Sequence, residues 1–126
     1  MFKKRLPTKR IVIAGCRYYN NYDEAKEFID YCLSDIKGKN NIVIVSGGAK
    51  GADSLGERYA RENGYEVERY PADWKKYGRS AGPRRNKIMA EVSDLVICFW
   101  DEQSRGTKSM IDFAGQYGKP IRIKNI

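Results

Sequence analysis

Ile42-Val43-Ile44-Val45-Ser46-Gly47-Gly48-Ala49-Lys50-Gly51-Ala52-Asp53 decides the fold of this chain. Four consecutive β-branched residues read as a buried strand, and the glycines that follow allow a tight turn. A helical pattern starts at once, with Ala52, Leu55, Tyr59 and Ala60 on one face and Gly64 as its stop. The same run suits an anion, because glycine lets the backbone approach a bound group and a helix start presents free N–H groups. Ser46, Gly47, Gly48, Ala49 and Gly51 are therefore candidate contacts to a phosphate or carboxylate, although a plain strand-to-helix turn uses the same residues. Asp53 is either a carboxylate favoured by the helix dipole or an acceptor for a ribose hydroxyl.

Outward from this run the pattern repeats. Apolar stretches at 10–15, 66–70, 94–100 and 120–123 read as further strands. A first helix is expected from a cap at Asp23, with Ala25, Ile29, Cys32, Leu33 and Ile36 inward and an end near Gly38. A third starts near Pro83 with Ile88, Met89 and Val92 inward, and a fourth covers about 107–117 with Ile111 and Ala114 inward and Gly118 closing it. Strands separated by helices need crossovers. The expected fold is thus one α/β, three-layer Rossmann-like domain over 1–126, with a five-stranded parallel sheet, helices on both faces and a basic N-terminal extension at 1–9.

Ligands of such sheets bind beyond the carboxyl ends of the strands, where strand order reverses. The segments 16–21, 46–53, 71–82 and 101–106 should share that rim. Gly15, Arg17 and Tyr18 fall at the expected reversal, where guanidinium and phenol suit a phosphate and a base. Trp74 and Tyr77 lie in a long connection, placed either to stack on a base or to anchor the loop. Arg85, read as the start of the third helix, opposes the helix dipole unless an anion offsets it. Gly106 and Thr107 open the fourth helix beside Ser104 and can hold a second phosphate or form an ordinary cap.

Composition narrows the chemistry. A formal charge of +8 favours anionic partners, and the stretch from Trp74 to Ala90 carries six basic residues and no acidic one. Histidine is absent, which removes the commonest neutral-pH acid–base and metal ligand; no metal site and no cofactor is expected. Cys16, Cys32 and Cys98 are odd in number and widely spaced, as expected of free thiols in the cytoplasm. Apolar runs such as 95–100 are too short to span a bilayer, so no membrane partner is expected. Gly15-Cys16-Arg17-Tyr18-Tyr19-Asn20 lacks the dinucleotide fingerprint, and Gly106-Thr107-Lys108-Ser109 has the letters of a P-loop in the wrong order.

Several ordered motifs resemble one known group. They are the run 46–53, Pro71-Ala72-Asp73-Trp74, Ala81-Gly82-Pro83-Arg84-Arg85-Asn86, Met89, the strand ending Phe99-Trp100, and Ser104-Arg105-Gly106-Thr107. Together they are similar to the standalone SLOG superfamily members of the DUF2493 or YspA-type branch, over about residues 10–123. Relatives include Lonely Guy phosphoribohydrolases, a DNA-processing protein that loads recombinase on single strands, and ligand-sensing domains of bacterial immune effectors. The resemblance implies a Rossmann-like fold that holds a nucleotide-derived ligand such as an ADP-ribose derivative, contacts by Arg85 and Asn86, and a homo-oligomer.

One departure bears on catalysis. Lonely Guy enzymes place a glutamate three residues after the threonine of a Gly-Gly-x-Gly-Thr motif, and here that position is Met110, with Ser104 replacing the first glycine. A thioether neither accepts a proton nor stabilises an oxocarbenium ion. Asp101 or Asp112 would have to substitute. The expectation is a domain that senses or sequesters a small phosphorylated nucleoside without catalysis; the alternatives are N-glycosidic hydrolysis of a nucleotide and single-stranded nucleic-acid binding through the basic, aromatic stretch.

Overall fold

The computed structural model describes residues 6–126. Of the expected N-terminal extension, residues 1–5 lie outside the described residues, while Thr8 and Lys9 already belong to the first strand. Strands β1 (Thr8–Gly15), β2 (Asn41–Ser46), β3 (Glu66–Arg69), β4 (Leu95–Trp100) and β5 (Ile121–Asn125) form one sheet. Its order is β3-β2-β1-β4-β5, and every neighbouring pair is parallel. The chain builds outward from β1 to β3, then returns past β1 to lay down β4 and β5. Strand order therefore reverses between β1 and β4, as the α/β reading requires.

Alternation along the central strands supplies two cores. Ile11 and Ile13 of β1 join Ile42, Ile44, Leu95, Ile97 and Phe99 on one face, under α1 (Tyr22–Leu33) and α2 (Ala52–Asn63). Val12 and Ala14 join Val45, Val96 and Cys98 on the other, under α4 (Ala81–Val92) and α5 (Arg105–Gln116). Both faces of these strands are buried, which is why they read as unbroken apolar runs.

Several local expectations are corrected. Asn21, not Asp23, caps α1: its side chain accepts the Glu24 N–H at 3.2 Å, and the helix gives way to turns after Leu33 instead of continuing to Gly38. The connection after β3 is not a plain loop. It folds into a short helix α3 (Trp74–Tyr77), capped by Asp73 through the Lys76 N–H, and then a 3₁₀ turn at Gly78–Ser80. α4 starts at Ala81, so Pro83 is its third residue and Arg85 its fifth, beyond the first-turn position that would set Arg85 against the dipole. Met89 faces the core, but Ile88 and Val92 are 48% and 36% exposed. On α5, Met110 and Ala114 are fully buried and Ile111 is half-buried.

Candidate ligand-binding site

The carboxyl ends of β1, β2 and β4 and the connections leaving them enclose a cleft of two adjoining chambers. The first has a volume of about 460 Å³ and is lined by Gly15, Arg17, Tyr18, Ala49, Asp53, Arg85, Asn86, Ser104, Gly106 and Thr107 among others. The second, about 600 Å³, is lined by Gly47, Gly48, Ala49, Lys50, Pro71, Ala72 and Trp74. Arg17, Ala49 and Arg85 line both. The glycine run and the start of α5 therefore share one rim.

The glycine loop is held from beneath by carboxylates. Ser46, fully buried, donates through Oγ to Glu57 Oε2 at 2.7 Å and accepts the Gly48 N–H at 3.0 Å. Glu57 also receives Arg69 Nε at 3.1 Å, and these donors keep its carboxyl below the usual range, Arg69 most strongly. Asp53 Oδ2 accepts the Ala49 N–H at 3.2 Å. The loop N–H groups of Gly48 and Ala49 are thus satisfied within the protein, and Ser46 lies under the cradle and lines neither chamber. A Cβ on Gly47 would lie 2.5 Å from Arg85 Nη1 and 2.8 Å from Asp53 Oδ2, so only glycine lets these two groups close over it. Gly51 also lines neither chamber; it packs against the carbonyls of Cys16 and Arg17 and so locks the glycine loop to the β1–α1 connection.

Arg85 joins three segments. Its Nη1 donates to the Gly47 carbonyl at 2.7 Å and the Tyr70 carbonyl at 3.3 Å, and its Nε to Asn86 Oδ1 at 3.0 Å. Burial and the charge of Arg17 lower its pKa while Asp53 raises it, but a guanidinium stays protonated. Asn86 Nδ2 reaches the Gly106 carbonyl at 3.3 Å, tying α4 to α5. Asp53 is pushed up to about 6 by burial, against the Ala49 N–H and the Arg85 charge, which favour ionisation.

At α5, Ser104 occupies the N-cap position without capping: its Oγ accepts the Thr107 hydroxyl at 3.2 Å. The first-turn N–H groups at Gly106 and Thr107 are left for another acceptor. Asp101, which ends the β4 rim, accepts the Ser104 N–H at 2.7 Å, the Gln103 N–H at 2.9 Å and the Tyr18 hydroxyl at 2.8 Å. These donors hold its carboxyl well below the ordinary range, and the same bond pushes the Tyr18 phenol up to about 12. Tyr18 is 67% exposed and so bridges the cleft mouth rather than its floor. Asp101, one of the two acids that would have to replace the missing glutamate, lines the first chamber and directly follows the strand at the reversal point; Met89 and Gln103 line it too, and nothing in the sequence pattern singles out Gln103. Asp112 pairs with Lys108 at 2.8 Å on the outside of α5 and lines neither chamber.

Trp74 is half exposed beside Pro71 and touches Gly82, while the Arg84 guanidinium lies 4.3 Å from the Tyr77 ring centre. Among the described residues no group of three or more His, Cys, Asp or Glu is arranged to hold a metal ion, and no helix is long and apolar enough to cross a membrane. All three cysteines are free.

A parallel sheet with helices on both faces and a donor-lined cleft at its reversal point defines a Rossmann-like α/β protein. This chain belongs to the YspA, cpYpsA-related SLOG family, whose model matches residues 9–77, a span that includes the glycine loop and Trp74 and stops short of Arg85. It is 30% identical over 119 residues to the Gene 61 protein of Mycobacterium phage D29, covering 90% of this chain and 94% of that protein. The fold is similar to that of DNA processing protein A from Streptococcus pneumoniae (TM-score 0.69, 20% identity, 94% of this chain and 50% of that one). The Helicobacter pylori DNA processing protein A, described as binding single-stranded DNA, gives a TM-score of 0.65 at 23% identity, over 94% of this chain and 65% of that one. This chain thus spans half to two-thirds of those structures, and the likeness is one of fold.

Proposed function

We propose that the cleft holds a small phosphorylated nucleoside derivative, ADP-ribose-like in its layout, and does so without catalysis. The observation that carries this reading is that Arg17 and Arg85 line both chambers, the one that holds the open first turn of α5 and the one that holds Trp74. A phosphate at Gly106 and Thr107, further anionic oxygens at the arginines and a base against Trp74 would use each feature in turn. Asp101 is a poor proton donor because it is held ionised with its oxygens engaged, and Met110 lines the first chamber where the related hydrolases carry a glutamate. Hydrolysis keeps one supporting observation, the buried Asp53 carboxyl held near 6 in the same chamber.

Mass spectrometry of small molecules released from the denatured protein, and calorimetric titration with ADP-ribose, adenosine monophosphate and inorganic phosphate, test the reading. Intact ligand is expected. Free base with ribose phosphate would replace binding by hydrolysis, and affinity that rises with oligonucleotide length and falls steeply with salt would replace it by nucleic-acid binding. A Cβ at Gly106 meets nothing within 4 Å, so Gly106→Asp should fold normally yet weaken phosphate-ligand binding about a hundredfold by placing a carboxylate at the anion position. Arg85→Ala is expected to weaken it at least about tenfold, with some loss of stability because the Gly47 and Tyr70 carbonyls lose their donor.

A further inference from the structure

The two chambers of the cleft differ in the chemistry of their walls. The first carries hydrogen-bonding side chains of several kinds, among them Asp53, Asn86, Asp101, Ser104 and Thr107. The second carries none of these: besides the Trp74 indole, its only polar side chains are those of Arg17, Lys50 and Arg85. No carboxylate lines it. Asp53 stands behind Gly47, where its Oδ2 accepts the Ala49 N–H, and it faces the first chamber alone. Asp73 caps α3 through the Lys76 N–H and lines neither chamber. Among the described residues, Arg17, Lys50 and Arg85 take part in no ion pair, and Lys50 is exposed.

We propose that the second chamber takes a phosphate monoester carried on the ribose of the bound nucleoside, at its 2′ or 3′ hydroxyl, with Lys50 as the cation that pairs with it. This rests on the reading of the cleft given above and names its ligand class more closely. With a base against Trp74 and bridging anionic oxygens at Arg17 and Arg85, the ribose next to that base lies in the second chamber. Nucleotide sites built for a free ribose offer a carboxylate to its hydroxyls, whereas those built for a ribose phosphate offer a cation in its place. Here the carboxylates are confined to the first chamber and the cation is Lys50. The bridging oxygens match the two arginines, whose charges oppose one another, so the ammonium is the charge left over for a further anion. The loop beside it leaves room for the group, since a Cβ on Gly48 would meet nothing within 4 Å.

Calorimetric titration of the full chain with four nucleotides is the test: adenosine 5′-monophosphate, adenosine 5′-diphosphate and the 2′,5′- and 3′,5′-bisphosphates of adenosine. One bisphosphate is expected to bind about tenfold more tightly than the diphosphate, which carries its added phosphate at the other end of the ribose, and the tighter of the two identifies the hydroxyl. Lys50→Gln should bring that ratio to about one, and Lys50→Arg should keep it, because a phosphate accepts from either cation. Lys26→Gln removes the same charge from the exposed side of α1 and should also keep the ratio. Bisphosphates that bind no more tightly than the diphosphate overturn the proposal and leave the reading of the cleft standing. So does a ratio that Lys50→Gln leaves unmoved or that Lys26→Gln lowers equally. Failure of all four nucleotides to bind overturns both.

Discussion

Gly51→Ala is expected to lower the unfolding free energy by about 4 kcal/mol, read as a shift in the urea midpoint at constant slope. Gly51 has φ of +78° and ψ of −127°, a backbone state that residues with a side chain rarely enter. A Cβ there would also press on the carbonyls of Cys16 and Arg17, which are backbone atoms with little room to move. The Cys16 carbonyl already accepts the Ala52 N–H at 3.2 Å, so separating the two segments breaks the junction between the β1–α1 connection and the start of α2. Gly106→Ala is the control. That position is helical and open, so alanine there should leave stability unchanged or raise it by up to about 1 kcal/mol. Equal effects at the two positions would contradict the packing described for Gly51.

The second large effect concerns Asp53. Burial pushes its carboxyl from the ordinary 3.8 up to about 6, so between those values the folded protein binds a proton that the unfolded chain does not. Stability contributed by that proton is complete below about pH 4 and is lost as pH rises to about 6, by up to about 3 kcal/mol at 1.36 kcal/mol per unit. Asp53→Asn keeps an acceptor for the Ala49 N–H and removes the charge. The variant should therefore be more stable than wild type at pH 8 by up to about 3 kcal/mol and should show no decline through that window. Ligand binding should follow the same group. An ionised Asp53 competes with an incoming anion for the Arg85 charge, and Glu57 disfavours negative charge at Asp53, so wild-type affinity for a phosphate ligand should rise as pH falls from about 7.5 to about 5.5. In Asp53→Asn that rise should disappear and neutral-pH affinity should be the greater. Weaker neutral-pH binding by the variant would mean that the Asp53 charge is needed to place Arg85.

Much of the architecture is local and was readable in the chain. Four β-branched residues at Ile42–Val45 and the run ending at Trp100 have one physical outcome when helices separate them: strands buried on both faces in a parallel sheet. Parallel connections place the strand-to-helix turns at one end, which is why 46–53 and 101–106 could be assigned to a common rim from order alone. Gly64 closing α2 with φ of +71° is turn chemistry of the same local kind.

Tertiary packing decided the rest, because it depends on what each group meets across the chain. The Ser46 hydroxyl could have faced a ligand; Glu57, one helix away and neutralised by Arg69, drew it inward. Asp53 acquired its shifted pKa from burial beside Arg85, not from its place in a helix. Periodicity marked Ile88, Met89 and Val92 alike as apolar, but the sheet and α5 cover only one side of α4, and the side holding Met89 and Asn86 is the one that fits them. Sequence determined where the turns and strands fall, since those follow from backbone preference and side-chain period. Which face of a helix is covered, and which donor each carboxylate finds, are set by contacts between segments far apart in the chain, and only the folded arrangement contains them.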